Sequence, residues 1–190
     1  FTDDWRVYHS YLDSSEPEDY YLILQSTNGK SADQGASFMN DTAPTNTVFS
    51  LGTDSAINGS SRTMIAYCWH DVPGLQKFGK YEGNGSATDG VFVYLGFRPA
   101  LLITKKISST SNWIMWDKER SPYNVANNYL YANSTDAQDT DGIKGVDFLS
   151  NGFKMYNNYT DANNDDSDYI YMAWADSPFH NLYGGEANAR

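Results

Sequence analysis

The strongest constraint on this chain is its succession of short apolar stretches, each cut off within a few residues by Gly, Asn, Asp or Ser. In order they read "WRVYH", "DYYLILQS", "NTVFSLG", "RTMIAYCWH", "LQKFGKYE", "GVFVYLGF", "ALLITKK", "NWIMWDK", "GVDFLS", "GFKMYN" and "YIYMAWA". β-Branched and aromatic residues in runs of this length, bounded by turn formers, are the pattern of strands. Helical windows with apolar residues at i, i+3, i+4 and i+7 are missing unless Gly, Pro or Asn clusters are tolerated. The best helical candidate, "SPYNVANNYLYAN" from Ser121 to Asn133, carries asparagines through its middle and has room for one or two turns. The expected fold class is therefore all-β, a β-sandwich or jelly roll of about ten or more antiparallel strands with little helix. A barrel is the alternative.

The glycine-rich stretch Lys77–Lys106, "KFGKYEGNGSATDGVFVYLGFRPALLITKK", raises the question of a phosphate-binding loop. Such a loop delivers backbone N–H groups at the start of a helix. Here Gly90 is followed by the alternating run "VFVYLGF", and Gly79-Lys80 is followed by Tyr81 rather than Ser or Thr. The expectation is a hairpin, with Gly83, Gly85 and Gly90 supplying positive φ angles. A shift of 105 positions superposes Asn58, Ile65, Trp69, Asp71 and Pro73 on Asn163, Ile170, Trp174, Asp176 and Pro178. That echo suggests two equivalent core strands, each ending in an Asp-x-Pro exit.

Composition limits partners. The formal net charge is −11, and the few cations are scattered, so nucleic acid and anionic membrane are excluded as partners: both require clustered Lys and Arg. Aromatics make up 15 % of the chain, far from the composition of a disordered segment. The lone cysteine, Cys68, forms no internal disulfide and, in the run "MIAYCWH", reads as a small buried hydrophobe. No apolar run approaches the ~20 residues of a membrane-spanning helix. The start at "FTDDW" without Met is expected of a processed product or of the end segment of a longer polypeptide.

Signals for catalysis are weak. Asp117 and Glu119 share a strand parity, as paired glycosidase carboxylates can, but they also suit a strand end with a local ion pair. His9, His70 and His180 are far apart, and no nucleophile elbow or zinc-ligand spacing occurs. The chain is expected not to be an enzyme and to need no cofactor, with calcium as the one metal to weigh. "DANNDDSD" places Asp161, Asn163, Asp165 and Asp168 in one loop, oxygen donors of the kind hard cations take. Against this, the sixth position of a helix-loop-helix calcium loop is Asp166 rather than Gly. Tyr and Trp beside Asn and Asp suit sugar stacking. In "NWIMWDK", Trp113 and Trp116 face opposite ways, so one is expected in the core and the other at the surface.

The combination "APTNTVFSLG", "MIAYCW", "KFGKYEGNGSATDGVFVYLGFRPALLI", "NWIMWDKERSPYN", "DFLSNGFK" and "YIYMAWADSPF" resembles an uncharacterised C-terminal domain of virion structural proteins. Those proteins belong to tailed bacteriophages of marine bacteria, and the domain often adjoins concanavalin-like or laminin-G-like jelly rolls. The resemblance runs from about Asp41 to Arg190. It divides the chain into residues 1–40, N-terminal strands read as the end of a preceding module, and residues 41–190, the sandwich itself. It implies a tail fibre or head appendage (a capsid decoration) on the virion surface, with copies of itself and other virion proteins as partners. It brings no catalytic residues.

The resulting expectation is a virion surface module that assembles with itself and binds host-surface glycan through Tyr81, Asn84, Asp89, Arg98, Trp116, Asp117 and Arg120. Those residues gather around the expected glycine hairpin and the strand ends after it. The alternatives are a purely structural decoration or fibre-building domain, and a glycan depolymerase.

Overall fold

The computed structural model describes residues 3–33, 35–140, 142 and 144–177. They form an antiparallel all-β fold with eleven strands: β1 (Arg6–Val7), β2 (Tyr20–Ile23), β3 (Ser31–Ala32), β4 (Gln76–Gly83), β5 (Phe92–Tyr94), β6 (Pro99–Lys106), β7 (Trp113–Asp117), β8 (Tyr129–Tyr131), β9 (Gly145–Leu149), β10 (Gly152–Tyr156) and β11 (Ser167–Ala175). Three sheets result, with orders β1-β2-β3, β4-β11-β6-β7-β8 and β5-β10-β9. Among the described residues helix is confined to one turn at Ser55–Asn58, where the Asp54 carboxylate accepts the Ala56 N–H at 2.9 Å, and a short 3-10 turn at Pro17–Asp19.

The five-stranded sheet lies between the other two. Side chains alternate across it, so register sorts them. One face carries Tyr81, Leu102, Ile114, Trp116, Tyr169, Tyr171 and Ala173, packed against Val93, Val146, Phe148, Phe153 and Met155 of the small sheet. Phe153 meets Tyr81 and Tyr171 edge-on, with centroids 5.9 and 5.5 Å apart, the geometry favoured by ring quadrupoles. The opposite face carries Ile103, Trp113, Ile170 and Met172, packed against Leu12, Leu22 and Leu24 of the N-terminal segment. The molecule is a β-sandwich with a third, smaller layer on its outer face.

Two lysine-centred latches hold the layers, the second lined by tyrosines. Residues 27–30 zip along residues 107–111 through Lys30 N–H to Ile107 O and Ser111 N–H to Thr27 O, 2.9 and 2.8 Å. Behind them Lys105 Nζ donates to Thr27 O, Lys106 O and Ser111 O at 2.9–3.1 Å. Burial pulls this ammonium down to about pKa 8. On the sandwich side, the buried Lys144 Nζ donates to Tyr129 Oη and Tyr131 Oη at 2.9 and 2.7 Å, and lies 4.2 Å from the Tyr159 ring centroid.

Several expectations are corrected. "RTMIAYCWH" is not a core strand: residues 62–71 run without turn or bend, outside every sheet, and Cys68 is exposed. Val72 bridges Gln76, but the Asp71 carboxylate then takes the Phe78 N–H at 2.8 Å, the donor the next ladder rung would use. The chain peels away from β4 at that point. The echo with β11 is thus one of sequence only, and Pro178 and His180 lie outside the described residues. "NTVFSLG" forms no strand either, because Thr45 Oγ1 accepts both the Thr47 and Val48 N–H groups and closes a turn there. "SPYNVANNYLYAN" is not helical but leads into β8. Its asparagines bind backbone elsewhere: Asn124 clamps both the N–H and C=O of Phe148, and Asn128 donates to Arg120 O, competing with helix as short amides do.

The glycine stretch is a crossover between sheets rather than a hairpin, since β4 and β5 belong to different sheets. Only Gly85 of the three glycines has positive φ, at 61°. Gly83 and Gly90 are needed for close approach: a Cβ there would sit 2.2 Å from Asn164 O and 2.1 Å from Met155 O.

His9 is buried, with Nδ1 accepting the Tyr11 N–H at 3.2 Å. Burial, opposed by the Tyr171 backbone and the Asp71 charge, lowers its pKa from 6.5 to about 4. Between those values the unfolded chain holds a proton that the native state does not, so stability falls as pH drops from about 6.5 to about 4. The expected loss is on the order of 3 kcal/mol. Urea titrations across that window should show a flatter pH dependence for His9→Asn, which keeps an acceptor for Tyr11 but does not titrate.

Candidate functional site

The most distinctive surface is a chain of touching aromatic rings beside the N-terminal layer. Trp5 contacts Tyr67 and Tyr67 contacts Trp69, with centroids 6.3 and 6.0 Å apart and planes within 27° and 21°. Trp69 then meets Trp174 edge-on at 6.4 Å, and Trp174 meets Phe78 at 5.7 Å. Trp174 and Phe78, on neighbouring β11 and β4, are half-buried anchors. Trp5, Tyr67 and Trp69 remain 51 %, 61 % and 55 % exposed, and Met64 and Ile65 extend the patch. Arg62 borders it, donating to Asp3 at 2.6 Å.

A second aromatic surface is the outer face of the small sheet. There Phe92, Tyr94 and Tyr156 are exposed among Lys77, Lys154 and Asp89. Lys77 Nζ donates to Tyr94 O at 2.9 Å, and Lys154 Nζ to Asp89 at 2.7 Å. The Lys154 hydrogen bond holds the Asp89 carboxyl below its usual pKa.

The residues expected to bind glycan do not form one site. Tyr81 and Trp116 are core side chains: Tyr81 Oη donates to Ala162 O at 2.7 Å, and Trp116, fully buried, donates to Lys144 O at 2.8 Å. Neither offers a face to a ligand. Trp113 is fully buried as well, because both faces of the central sheet are covered, which overturns the expectation of one surface Trp. Asn84 and Asp89 lie in the crossover after β4, where Asn84 Nδ2 donates to Asp89 O at 2.9 Å. Arg98, Asp117 and Arg120 lie at the opposite end of the sheet, a strand length of about 25 Å away. There Asp176 accepts from Arg98 at 3.3 Å and from Lys118, while Asp117 accepts from Arg120 Nε at 3.0 Å. The local ion pair read at Asp117 is present. Glu119 points into solvent.

The acidic loop is organised around Asn163. The buried Asn163 amide donates to Asn84 Oδ1, Ser86 O and Asn157 O at 2.7–3.2 Å, and its Oδ1 accepts the Asn84 N–H at 3.1 Å. Asp161 accepts from Ser111 Oγ at 2.9 Å and Asn112 Nδ2 at 3.4 Å, Asp165 is exposed, and Asp168 lies on β11. Among the described residues no three His, Cys, Asp or Glu side chains converge as a metal site.

A family model described as "Domain of unknown function (DUF7483)" matches residues 1–178. The chain belongs to this family. No curated protein and no solved structure matches it. The DUF7483 match spans the N-terminal layer together with both sheets of the sandwich, and both aromatic surfaces lie within it.

The Tyr67–Trp69 surface escaped sequence reading because "MIAYCW" is apolar at both parities. That is also the signature of a strand buried on both sides, such as β11, and no local signal separates the two. For the Asn163 loop, the structure makes a sharp expectation. Asn163→Asp replaces an NH2 group, whose two hydrogens are shared among three acceptors, with a carboxylate oxygen facing those same three oxygens, so about 3–4 kcal/mol of stability should be lost. Chemical denaturation should give the same loss with calcium and with EDTA.

Proposed function

We propose that this chain is a non-enzymatic surface module of a tailed-phage virion, built into a tail fibre or capsid decoration by association with copies of itself. The observation that carries the reading is the exposed Trp5–Tyr67–Trp69 array with Met64 and Ile65 beside it. Contiguous aromatic surface of this kind marks an interaction site. It has little charge, on a chain whose net charge is −11, and aromatic, charge-depleted patches are typical of the cores of protein interfaces. The likeness of the chain's ordered motifs to phage virion domains supplies the setting. Light scattering over a wide concentration range should return a dimer or larger assembly. A chain that stays monomeric throughout would remove the self-assembly reading.

A second reading, capture of host-surface glycan, is favoured by the outer face of the small sheet. Phe92, Tyr94 and Tyr156 offer ring faces there, beside the Lys154–Asp89 pair as hydrogen-bonding partners. Tyr94→Ala should then weaken binding on a host-polysaccharide array by about tenfold or more, while Trp116→Phe, a core change, should leave affinity for the same glycan unaltered. Equal binding by Tyr94→Ala and the unaltered chain would remove this face from consideration.

A further inference from the structure

The outer face of the small sheet carries its rings laid down on backbone. Register turns Phe92, Tyr94, Asp147, Lys154 and Tyr156 outward, opposite in parity to the buried Val93, Val146, Phe148, Phe153 and Met155. Phe92 and Tyr94 are two residues apart on β5, about 7 Å along the strand. A glycine lies beside each ring: a Cβ on Gly152 would come 3.1 Å from Phe92 Cε2, and one on Gly96 would come 3.6 Å from Tyr94 Oη. Rings that rest on backbone in this way leave their faces, rather than their edges, to solvent.

The charges around those rings cancel. Lys154 stands opposite Phe92 on one side and Asp147 on the other, and its Nζ donates to Asp89 at 2.7 Å. Lys77 Nζ donates to Tyr94 O at the edge of β5. Two cations and two carboxylates leave no positive field, on a chain whose net charge is −11. A polymer with a carboxylate or sulfate on each repeat is repelled at long range. At short range it meets a lysine already answered by a carboxylate. Uncharged hydroxyls meet the opposite situation. Lys154 keeps donor hydrogens beyond the one given to Asp89, and among the described residues Asp89 Oδ2 has no partner, on a side chain that is 89 % exposed. A donor and an acceptor side by side suit two neighbouring hydroxyls, each able to give one hydrogen bond and take another.

We infer that this face binds an uncharged polysaccharide, with sugar rings stacked on Phe92 and Tyr94 and vicinal hydroxyls held by the Lys154–Asp89 pair; the inference rests on the glycan reading above. Biolayer interferometry of the full chain on immobilised dextran, mannan and galactan, and on alginate and polygalacturonate, tests it. At least one of the three neutral polymers should bind, equally well at low salt and in about 0.5 M NaCl, where charges are screened beyond about 4 Å. Phe92→Ala should weaken that binding about tenfold and Asp89→Ala about fivefold, both with native circular dichroism because the positions are exposed. Asp89→Ala separates the ligand classes by sign, since it also frees Lys154. An acidic polymer that binds, fades with salt and tightens in Asp89→Ala would overturn the uncharged class while leaving the glycan reading standing. Binding to none of the five would overturn both. A dimer that Phe92→Ala turns into monomer would hand the face to a second copy instead.

Discussion

The architecture depends on the central sheet being covered on both faces. β11 sits between β4 and β6 with Tyr169, Tyr171 and Ala173 facing one layer, and Ile170 and Met172 facing the other. A half-solvated antiparallel strand alternates apolar and polar residues, whereas a strand buried on both sides has nowhere to put the polar ones. This is why "YIYMAWA" is apolar almost throughout and why both Trp113 and Trp116 are lost to solvent. Polar atoms that enter such an interior have to bring partners with them. Tyr81, Trp116 and Tyr169 each do so by donating to a backbone carbonyl, and Lys105 does so by donating to three.

Double coverage also explains where sequence reading succeeds and where it stops. The strands from β4 to β7 and from β9 to β11 are legible because each is a short β-forming run closed by turn residues, and their existence needs no knowledge of neighbours. Layering is not legible, because it depends on which sheet each strand joins. The same glycines that would close a hairpin can carry the chain from one sheet to another, and Gly83 and Gly90 serve close approach to Asn164 O and Met155 O instead of a turn. β8 was hidden for a different reason. Its asparagine-rich approach looks like a poor helix, and only the Asn124 clamp on Phe148 shows what those amides do.

The candidate sites show the same division. Aromatic content pointed to ring faces as the functional chemistry, but parity within one strand cannot reveal whether a second layer covers that face. Tyr81 and Trp116 are buried by layers contributed from sequence far away, whereas Tyr67 and Trp69, read as core, are left outside by one carboxylate. Asp71 takes the Phe78 N–H and so ends the ladder after the Val72–Gln76 bridge. A single side-chain acceptor thus marks the point where this β-forming run leaves the sheet instead of extending it.

The two aromatic surfaces then differ in what each asks of a partner. Phe92, Tyr94 and Tyr156 stand on strands whose backbone is engaged with neighbours in the small sheet, so that face offers rings and a few charged groups but no row of amides. A flat ring-bearing ligand with peripheral hydroxyls satisfies it without a matching ladder. Thr63–Trp69 offers rings together with a row of unpaired N–H and C=O groups. A sugar could cover the rings but would leave those groups to water, while an extended polypeptide satisfies both at once. That difference in backbone state, rather than in aromatic content, is what separates the two surfaces.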